Sequence, residues 1–281
     1  MYVLCSPCVL DPALRAEGIT RQSDLDLFEG ARERCRQFGI RIVPLPCPET
    51  LYLGRNHKPG TFLERLNTPE FFQLVDRLEQ QVQELIEKEG PPLCIIGVNS
   101  SPTCGVTTTY YGSTGQEPPK REGRGVFLSR FGSIPAVDVG VFSRYRVYLA
   151  APLFTEAERE YNARIAALLR SHFFEVFVPQ EAGDDSHTRE HDRQEAIYSS
   201  NMNALEAADV VVGIIDGADA DSGTAWEMGY ATARQKPVIA LRTDFRKVGV
   251  NEHVNLMLEQ SARVVNTMDQ LLDALGSPGL R

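Results

Sequence analysis

The stretch ADVVVGIIDGADADSGTAWEMGYATARQKPVIAL, residues 208–241, predicts the fold of the second half of the chain. It contains two apolar runs rich in β-branched residues, 210–215 and 238–241, separated by an acidic turn and a helical segment. This alternation is typical of a βαβ unit. Ligands of an open parallel sheet bind beyond the carboxyl ends of the strands, so we expect the acidic turn and the first helical turn to face a ligand.

Acidic side chains cluster at this predicted ligand-facing turn. Asp216 and Asp221 lie in the turn, and Glu227 lies in the early part of the following helix. Carboxylates on one rim are suited to hold a polyol and to attack it. A structural role for Glu227 is the alternative, because Thr224 and Glu227 have the spacing of a capping box and acidic residues favour the first turn of a helix.

Four motifs in the second half resemble the nucleoside 2-deoxyribosyltransferase family. They are YLAAPLF at 148–154, DSGTAWEMGYA at 221–231, TDFR at 243–246 and NLM at 255–257. The resemblance implies a flavodoxin-like or Rossmann-like α/β domain that cleaves or exchanges the N-glycosidic bond of a nucleoside. It also implies the chemistry of a retaining glycosidase, with a glycosyl ester as the intermediate.

The same resemblance assigns roles to individual residues. Glu227 would be the nucleophile that attacks C1′ of the sugar, Tyr148 would orient Glu227, and Asp221 would bind the sugar hydroxyls. Asn255 and Met257 resemble a pair that reaches into the site of a neighbouring subunit, so we expect a homo-oligomer with shared active sites. A carboxylate at the position of Asp221 would repel phosphate, which favours free nucleosides over monophosphates as substrates.

Asn201 marks a departure from the family pattern. The family usually carries an aspartate that faces the base on the helix before the ALEAAD run at 204–209, and Asn201 occupies that place. An amide can form hydrogen bonds with a base but cannot protonate it. We therefore expect Asn201 to bind substrate with altered base specificity or with slow exchange; a surface position on the helix is the alternative.

Length, composition and charge limit the classes of protein that fit. The chain has 281 residues, 42% of them hydrophobic and 24% charged, which suits a globular protein of two domains. We place these domains at 1–143 and 144–281. The net charge is −9 and no basic stripe is present, so neutral nucleosides fit better as partners than a nucleic acid polymer. No apolar run reaches the ~18 residues of a membrane helix, so we expect a cytoplasmic enzyme without a membrane partner.

The first half predicts a second parallel, three-layer α/β domain. Its elements alternate as βαβαβ, with strands predicted at 2–5, 41–45 and 93–98. Ser23 is predicted to cap the first helix, and Thr68 followed by proline is predicted to cap the second. The predicted fold class is therefore α/β throughout, with mainly parallel sheets.

All six cysteines lie in this first half. Cys8, Cys47 and Cys104 each fall in a loop just beyond the carboxyl end of a predicted strand, so their thiols are expected to converge at one rim and to hold a metal cluster. Cys35 and Cys94 lie inside predicted elements, where a free cysteine behaves as a small apolar residue. Two alternatives stay open: a four-thiolate zinc or iron-sulfur site that includes Cys5, or a set of inert buried thiols.

The residues around these cysteines resemble the 2-thiouracil desulfurase family. The matching motifs are SPC at 6–8, CPE at 47–49, NSSPTCG at 99–105 and GRGVF at 123–127. The resemblance implies a [4Fe-4S] cluster held by three cysteines, with one iron open to take sulfur from a thiolated base.

In this chain the implied cluster ligands are Cys8, Cys47 and Cys104. Glu49 and Ser101 would be the acid/base and substrate-contacting groups; a solvated loop acid and a turn residue before a proline are the structural alternatives for these two. The sequence VLDP at 9–12 differs from the residues that usually follow the first cysteine of the family. The identity of the thiolated substrate is therefore left open.

Together the two halves predict a bifunctional enzyme for the salvage of modified nucleosides or nucleobases. One half would remove sulfur from a thiolated pyrimidine, such as 2-thiouracil, and the other would cleave or transfer a glycosyl group through Glu227. The first alternative is a desulfurase whose C-terminal half binds nucleosides without turnover. The second is a deoxyribosyltransferase whose first domain holds a structural zinc ion.

Overall fold

The structure, a computed structural model, describes residues 1–112, 120–182, 190–247, 249 and 254–277, with the backbone alone for 190–192. The chain forms two compact units, Met1–Ser143 and Arg144–Ser277. In the described part of the chain, no helix combines the length and the apolarity needed to cross a membrane. The sequence also predicts a polar loop at 183–191, before the second helix of the second half, and residues 183–189 of it lie outside the described residues.

The first unit alternates strands and helices along the chain. Its strands are β1 Tyr2–Cys5, β2 Arg41–Pro44, β3 Ile95–Gly97, β4 Thr108–Tyr110, β5 Lys120–Glu122 and β6 Ala136–Asp138. Its helices are α1 Gln22–Gln37, α2 Pro48–Leu53, α3 Phe62–Arg65, α4 Pro69–Glu89 and α5 Val139–Phe142.

Four parallel strands of the first unit form one sheet in the order β2-β1-β3-β6. The strand β1 is completely buried, as expected for an apolar strand covered on both faces. The long helix α4 packs against the sheet through Phe71 and Val75, which are buried in one core with Leu4 and Ile95. Strands β4 and β5 form a separate antiparallel pair.

The second unit repeats the alternation of strand and helix. Its strands are β7 Arg146–Ala150, β8 Glu175–Phe177, β9 Val210–Ile214, β10 Val238–Leu241 and β11 Arg263–Val265. Its helices are α6 Glu156–Ser171, α7 Glu190–Ala207, α8 Ser222–Ala233, α9 Leu256–Ser261 and α10 Met268–Ala274.

The sheet of the second unit is parallel, with the order β11-β10-β9-β7-β8. Counted within this unit the order is 2-1-3-4-5, which is the flavodoxin-like arrangement. The apolar strand β9 pairs with β7 on one side and β10 on the other, and all its residues are buried. The predicted α/β class with mainly parallel sheets is confirmed.

Helix caps show where local sequence rules held. Thr68 caps α4 through the amide of Phe71, and Thr155 and Glu158 form a capping box at the start of α6. The prediction for α1 was wrong by two residues, because Arg21 rather than Ser23 is its N-cap. There the carboxylate of Asp24 accepts a hydrogen bond from the Arg21 amide at 2.9 Å, which fixes the start of the helix.

Candidate active sites

A tyrosine from β7 and a glutamate from α8 meet in the second unit. The Tyr148 hydroxyl donates a hydrogen bond of 2.5 Å to Oε1 of Glu227. Tyr148 is fully buried, and its ring stacks on Phe177 with centroids 5.4 Å apart. Because β7 and β9 are the strands on either side of the topological switch point, this pair lies where a doubly wound sheet binds its ligand.

Close packing between β9 and α8 fixes the height of Glu227 above the sheet. Gly213 lies in β9, and a Cβ atom there would overlap Sδ of the buried Met228. The absence of a side chain at Gly213 therefore lets α8 approach the strand. Met228 follows Glu227 directly, so this contact anchors the helical turn that carries the carboxylate.

The environment of Glu227 shifts its ionisation toward neutral pH. Burial raises the pKa of Glu227 to about 6, the Tyr148 hydroxyl lowers it in part, and the charge of Asp221 raises it further. Burial and the adjacent Glu227 carboxylate also raise the pKa of Tyr148, so the phenol stays protonated and keeps donating. The pair thus holds a carboxylate that is mostly ionised at pH 7 and has one oxygen fixed by a donor.

Asp221 supplies the cap of α8. Its Oδ2 accepts hydrogen bonds from the amides of Gly223 at 2.9 Å and Thr224 at 3.1 Å. The capping box offered as the structural alternative for Glu227 is therefore wrong, since the N-cap is Asp221 and not Thr224. The predicted binding of sugar hydroxyls by Asp221 stays a prediction, and its charge is near enough to Glu227 to affect it.

Asp216 anchors the loop that follows β10. Its Oδ1 accepts from the amides of Thr243 at 2.6 Å and Asp244 at 2.8 Å, and its Oδ2 accepts from the Thr243 hydroxyl at 2.7 Å. These bonds join the loops after β9 and β10 beyond the carboxyl ends of both strands. A direct role of Asp216 in substrate binding stays a prediction.

The remaining predicted substrate contacts have three different environments. Oδ1 of Asn201 on α7 is buried and has no hydrogen-bond partner within the described residues. Asn255 caps α9, because its side chain accepts from the amide of Met257 at 3.0 Å. The side chain of Met257 is 76% exposed, so it is free for contact with another molecule.

The first unit contains a cavity of about 730 Å³. Its lining brings together residues that follow three different strands, namely the five predicted site residues Cys8, Glu49, Ser101, Cys47 and Cys104. Cys8 lies in the turn after β1, Cys47 is the N-cap of α2 after β2, and Cys104 lies in the loop after β3. The predicted convergence of three loops at one rim of the sheet agrees with this lining.

The three thiols affect one another electrostatically. Burial raises the pKa of Cys104 to about 12, with a further contribution from Cys47. Burial, Cys104 and Cys47 also raise the pKa of Cys8. In Cys47, burial raises the pKa, whereas hydrogen bonds from the amide and hydroxyl of Thr50 lower it. Cys104 is buried, whereas Cys8 and Cys47 are partly buried. Thiols that resist ionisation would gain from a bound cation, because only the thiolate binds metal.

The other cysteines lie apart from this lining. Cys5, Cys35 and Cys94 are buried, and none of them is among the described residues that line the cavity. The Cys5 thiol donates to the Ser6 carbonyl at 3.5 Å. Burial, Cys8 and Cys104 raise the pKa of Cys5, so the alternative in which Cys5 is a fourth ligand stays a prediction.

The donor set of this cavity bears on which metal group it could hold. In the described residues, no three side chains of His, Cys, Asp or Glu are arranged as ligands of one metal ion. Thiolates are the usual ligands of a [4Fe-4S] cluster, and each binds a different iron atom. Cys8, Cys47 and Cys104 line one cavity and have the right donor chemistry, and a cluster held by them stays a prediction.

Glu49 and Ser101 both line the cavity, and their side chains have different environments. Ser101 Oγ accepts from the amides of Thr103 at 3.3 Å and Cys104 at 3.1 Å, so it shapes the loop that presents Cys104. Glu49 is largely buried, and burial raises its pKa, while His57 and Arg65 lower it. The catalytic roles predicted for both residues stay predictions.

Sequence reasoning did not find every residue of this site. His57, which contacts Glu49 at 3.4 Å, stands eight positions further along the chain in no motif of known spacing. Arg15 also lines the cavity and pairs with Asp24 at 2.9 Å. A search for charged residues in the loops after β1 and β2 could have found both.

The second unit is thus a flavodoxin-like α/β domain with a tyrosine-paired carboxylate at its switch point. Residues 147–268 match the family model described as nucleoside 2-deoxyribosyltransferase. An uncharacterized protein of Ureaplasma parvum is 33% identical over 131 residues, which make up 42% of this chain and 80% of that relative. Through its C-terminal half, the chain belongs to the nucleoside 2-deoxyribosyltransferase family.

Solved structures also resemble part of the chain. A conserved protein from Enterococcus faecalis V583 is 28% identical, with 46% of this chain and 95% of that chain covered and a TM-score of 0.39. A 2-deoxyribosyltransferase from Bacillus psychrosaccharolyticus is 24% identical, with 46% and 94% covered and a TM-score of 0.39. Membership of the family supports deoxyribosyl transfer or N-glycosidic cleavage as the activity of the second unit. The residues of the family match all lie in that unit.

Proposed function

We propose that the second unit cleaves the N-glycosidic bond of a nucleoside by covalent catalysis through Glu227. The observation that carries this proposal is the buried Tyr148 hydroxyl 2.5 Å from the Glu227 carboxylate. A nucleophilic carboxylate must be ionised and aimed, and this hydrogen bond contributes to both. It stabilises the charged form, and it fixes one oxygen so that the other is available for attack.

The reaction proceeds in two balanced steps. The Glu227 carboxylate attacks C1′ and forms a glycosyl ester, while the C1′–N bond breaks and its electron pair leaves with the base, which takes up a proton. A second base or a water molecule then attacks C1′ and releases the Glu227 carboxylate. A base as acceptor gives transfer, and water gives hydrolysis. The free enzyme returns with its Tyr148 hydrogen bond intact.

The substrate of this unit is a free nucleoside rather than a monophosphate. The N-terminus of α8 is the position where helix geometry would favour a phosphate. Asp221 already occupies that position, with its carboxylate on the Gly223 and Thr224 amides. Its negative charge repels a phosphate group there.

Base release from a panel of ribo- and 2-deoxyribonucleosides, followed by chromatography, tests this function. Glu227→Gln should abolish release, whereas Glu160→Gln, at an exposed position on α6, should leave it unchanged. If Glu227→Gln keeps the wild-type rate, Glu227 is not the nucleophile. If the wild-type protein binds nucleosides but releases no base, the unit is a nucleoside-binding module without turnover. That result would favour the alternative in which the C-terminal half only serves the first unit.

We further propose that the second unit works as a homo-oligomer with shared active sites. The support is the exposure of large apolar side chains beside the family motifs, with Phe154 72%, Trp226 51% and Met257 76% exposed. Exposed apolar side chains of this size are common on surfaces that bind another chain. Light scattering of the purified protein should show more than one chain per particle.

For the first unit we propose removal of sulfur from a thiolated pyrimidine. The specific observation that favours it is the cavity whose lining combines Cys8, Cys47 and Cys104 with Glu49 and Ser101. The three cysteines would hold a [4Fe-4S] cluster, which when bound supplies an open iron as acceptor for sulfur. Glu49 would move protons between water and the base as a carbonyl oxygen replaces the sulfur and sulfide leaves. Ser101 would keep the Cys104 loop in place.

Metal and sulfide analysis of protein purified without oxygen tests the desulfurase function proposed for the first unit. Iron and acid-labile sulfide of about four each per chain, together with sulfide release from 2-thiouracil, would support it. A colourless protein with zinc would instead support a structural metal site in the first unit.

A further inference from the structure

His57 occupies a fixed position behind the wall of the cavity in the first unit. Helix α2 ends at Gly54, whose φ of 86° turns the chain back. The Gly54 carbonyl then accepts a hydrogen bond from Nδ1 of His57 at 3.0 Å. The carbonyl of His57 accepts from the amide of Glu17 at 2.9 Å. Both the main chain and the ring of His57 are therefore held, and its side chain is only 2% exposed.

The remaining ring nitrogen faces Glu49. A carbonyl oxygen can only accept, so Nδ1 of His57 carries the hydrogen that Gly54 receives. This arrangement leaves Nε2 for Glu49, whose Oε1 lies 3.4 Å away, and a second hydrogen, carried by Nε2 or by the carboxyl group, is needed to join the two side chains. Glu49 lines the cavity and keeps 17% of its side chain exposed, whereas His57 is absent from the described residues of the lining. The histidine thus contacts a carboxylate of the lining without being among the described lining residues itself.

We propose that His57 is the positioning residue for Glu49 in the reaction of the first unit. This inference rests on the function proposed above for that unit. Glu49 stands in the first turn of a short helix, where its side chain has several rotamers open to it. The contact with His57 selects the rotamer that presents the second carboxylate oxygen to the substrate. Ordering the side chain before the reaction removes an entropic cost from the chemical step.

A purely structural role for His57 is the competing explanation. In that case the ring matters only because Nδ1 closes the turn onto the Gly54 carbonyl. The two roles use different ring nitrogens, so two substitutions separate them. The amide nitrogen of Asn overlays Nδ1 of a histidine, and that of Gln overlays Nε2. His57→Asn therefore keeps the turn and loses the contact with Glu49, and His57→Gln does the reverse.

The full-length protein with its metal content measured is the sample for the kinetic test. We expect His57→Asn to lower kcat for sulfide release from 2-thiouracil by about 10-fold or more, with KM and iron content unchanged. His57→Gln should retain most of the wild-type kcat. Equal kcat values for the two variants, or a higher value for His57→Asn, would overturn the positioning role.

A second readout does not depend on activity. In full-length protein labelled with ¹⁵N-histidine, Glu49→Gln should move the Nε2 resonance of His57, which is assigned by its loss in His57→Asn. Glu87→Gln, at an exposed position on α4, is the matched control and should leave that resonance in place. An Nε2 chemical shift that is unchanged in Glu49→Gln would overturn the inference. Wild-type protein with full iron and no sulfide release would instead contradict the proposed desulfurase function. Even then, the Nε2 resonance would show whether His57 contacts Glu49.

Discussion

The Tyr148 hydroxyl and the Glu227 carboxylate lie 2.5 Å apart although 79 positions separate them in the chain. One comes from β7 and the other from the helix that follows β9, so the parallel pairing of these two strands creates the contact. Burial destabilises the ionised form of Glu227, and the hydrogen bond from the phenol stabilises it. The balance between these two effects determines the pH range in which the proposed nucleophile works.

Removal of the phenol oxygen should shift that range upward. Tyr148→Phe deletes the donor that lowers the pKa of Glu227, so the pKa rises above its wild-type value of about 6. Since the ionised form attacks, the ascending limb of kcat/KM against pH should move to higher pH. A hydrogen bond to a charged group contributes about 1.5–3 kcal/mol, so kcat should fall by about 10- to 100-fold. An unchanged limb in a pH profile of base release would show that the phenol does not act on Glu227.

Removal of the neighbouring negative charge should have the opposite effect. The charge of Asp221 raises the pKa of Glu227, so Asp221→Asn should move the ascending limb to lower pH. Asparagine is also a good N-cap, and α8 should therefore keep its start. Asp219→Asn, exposed in the same loop, is the matched control. The prediction fails if both variants give the same profile as the wild type.

Asn201 should contribute to binding and little to stability. Its buried Oδ1 has no partner in the described part of the chain, so Asn201→Ala removes no hydrogen bond there and introduces a better helix former. We expect the free energy of unfolding to change by less than about 1 kcal/mol. KM for the preferred nucleoside should rise by about 5- to 10-fold through loss of one hydrogen bond to the base.

Denaturant unfolding and initial-rate kinetics check the two parts of this prediction separately. Asn203→Ala, at an exposed position on the same helix, should change neither quantity. A large loss of stability in Asn201→Ala with unchanged KM would make this residue structural.

The cysteines of the first unit should separate into two classes. Cys104→Ala removes a thiol from the cavity lining, and it should abolish most of the bound iron after anaerobic purification. Cys35→Ala changes a buried thiol on α1 outside that lining and should keep the wild-type iron content. Iron analysis of the two variants is the measurement. Equal iron contents would show that the cavity thiols do not hold the metal.

The sequence predicted the framework of the fold well because the signals are local. The apolar strand after Ala208 and the cap at Thr68 each need only a few neighbouring residues. The convergence of three cysteine-bearing loops followed from the rule that parallel strands end at one edge. No distance between thiols could follow from it.

Other features depend on geometry that residue spacing does not give. Thr224 has the spacing of a cap, yet Asp221 takes that role because the helix begins directly after it and its carboxylate accepts from two amides. Residue spacing also could not show that the oxygens of Asp216 accept hydrogen bonds from the loop that begins at Thr243. His57 was missed because its contact with Glu49 depends on the turn at Gly54 and not on a motif.

Mass spectrometry of the protein after reaction with a 2-deoxynucleoside and rapid acid quenching detects the glycosyl ester itself. We expect a population of chains heavier by one deoxypentosyl group, with the label on the peptide that contains Glu227. Glu227→Gln should show no label, and Tyr148→Phe should show it more slowly. Base release without any labelled peptide, or a label on a residue other than Glu227, would contradict covalent catalysis by this carboxylate.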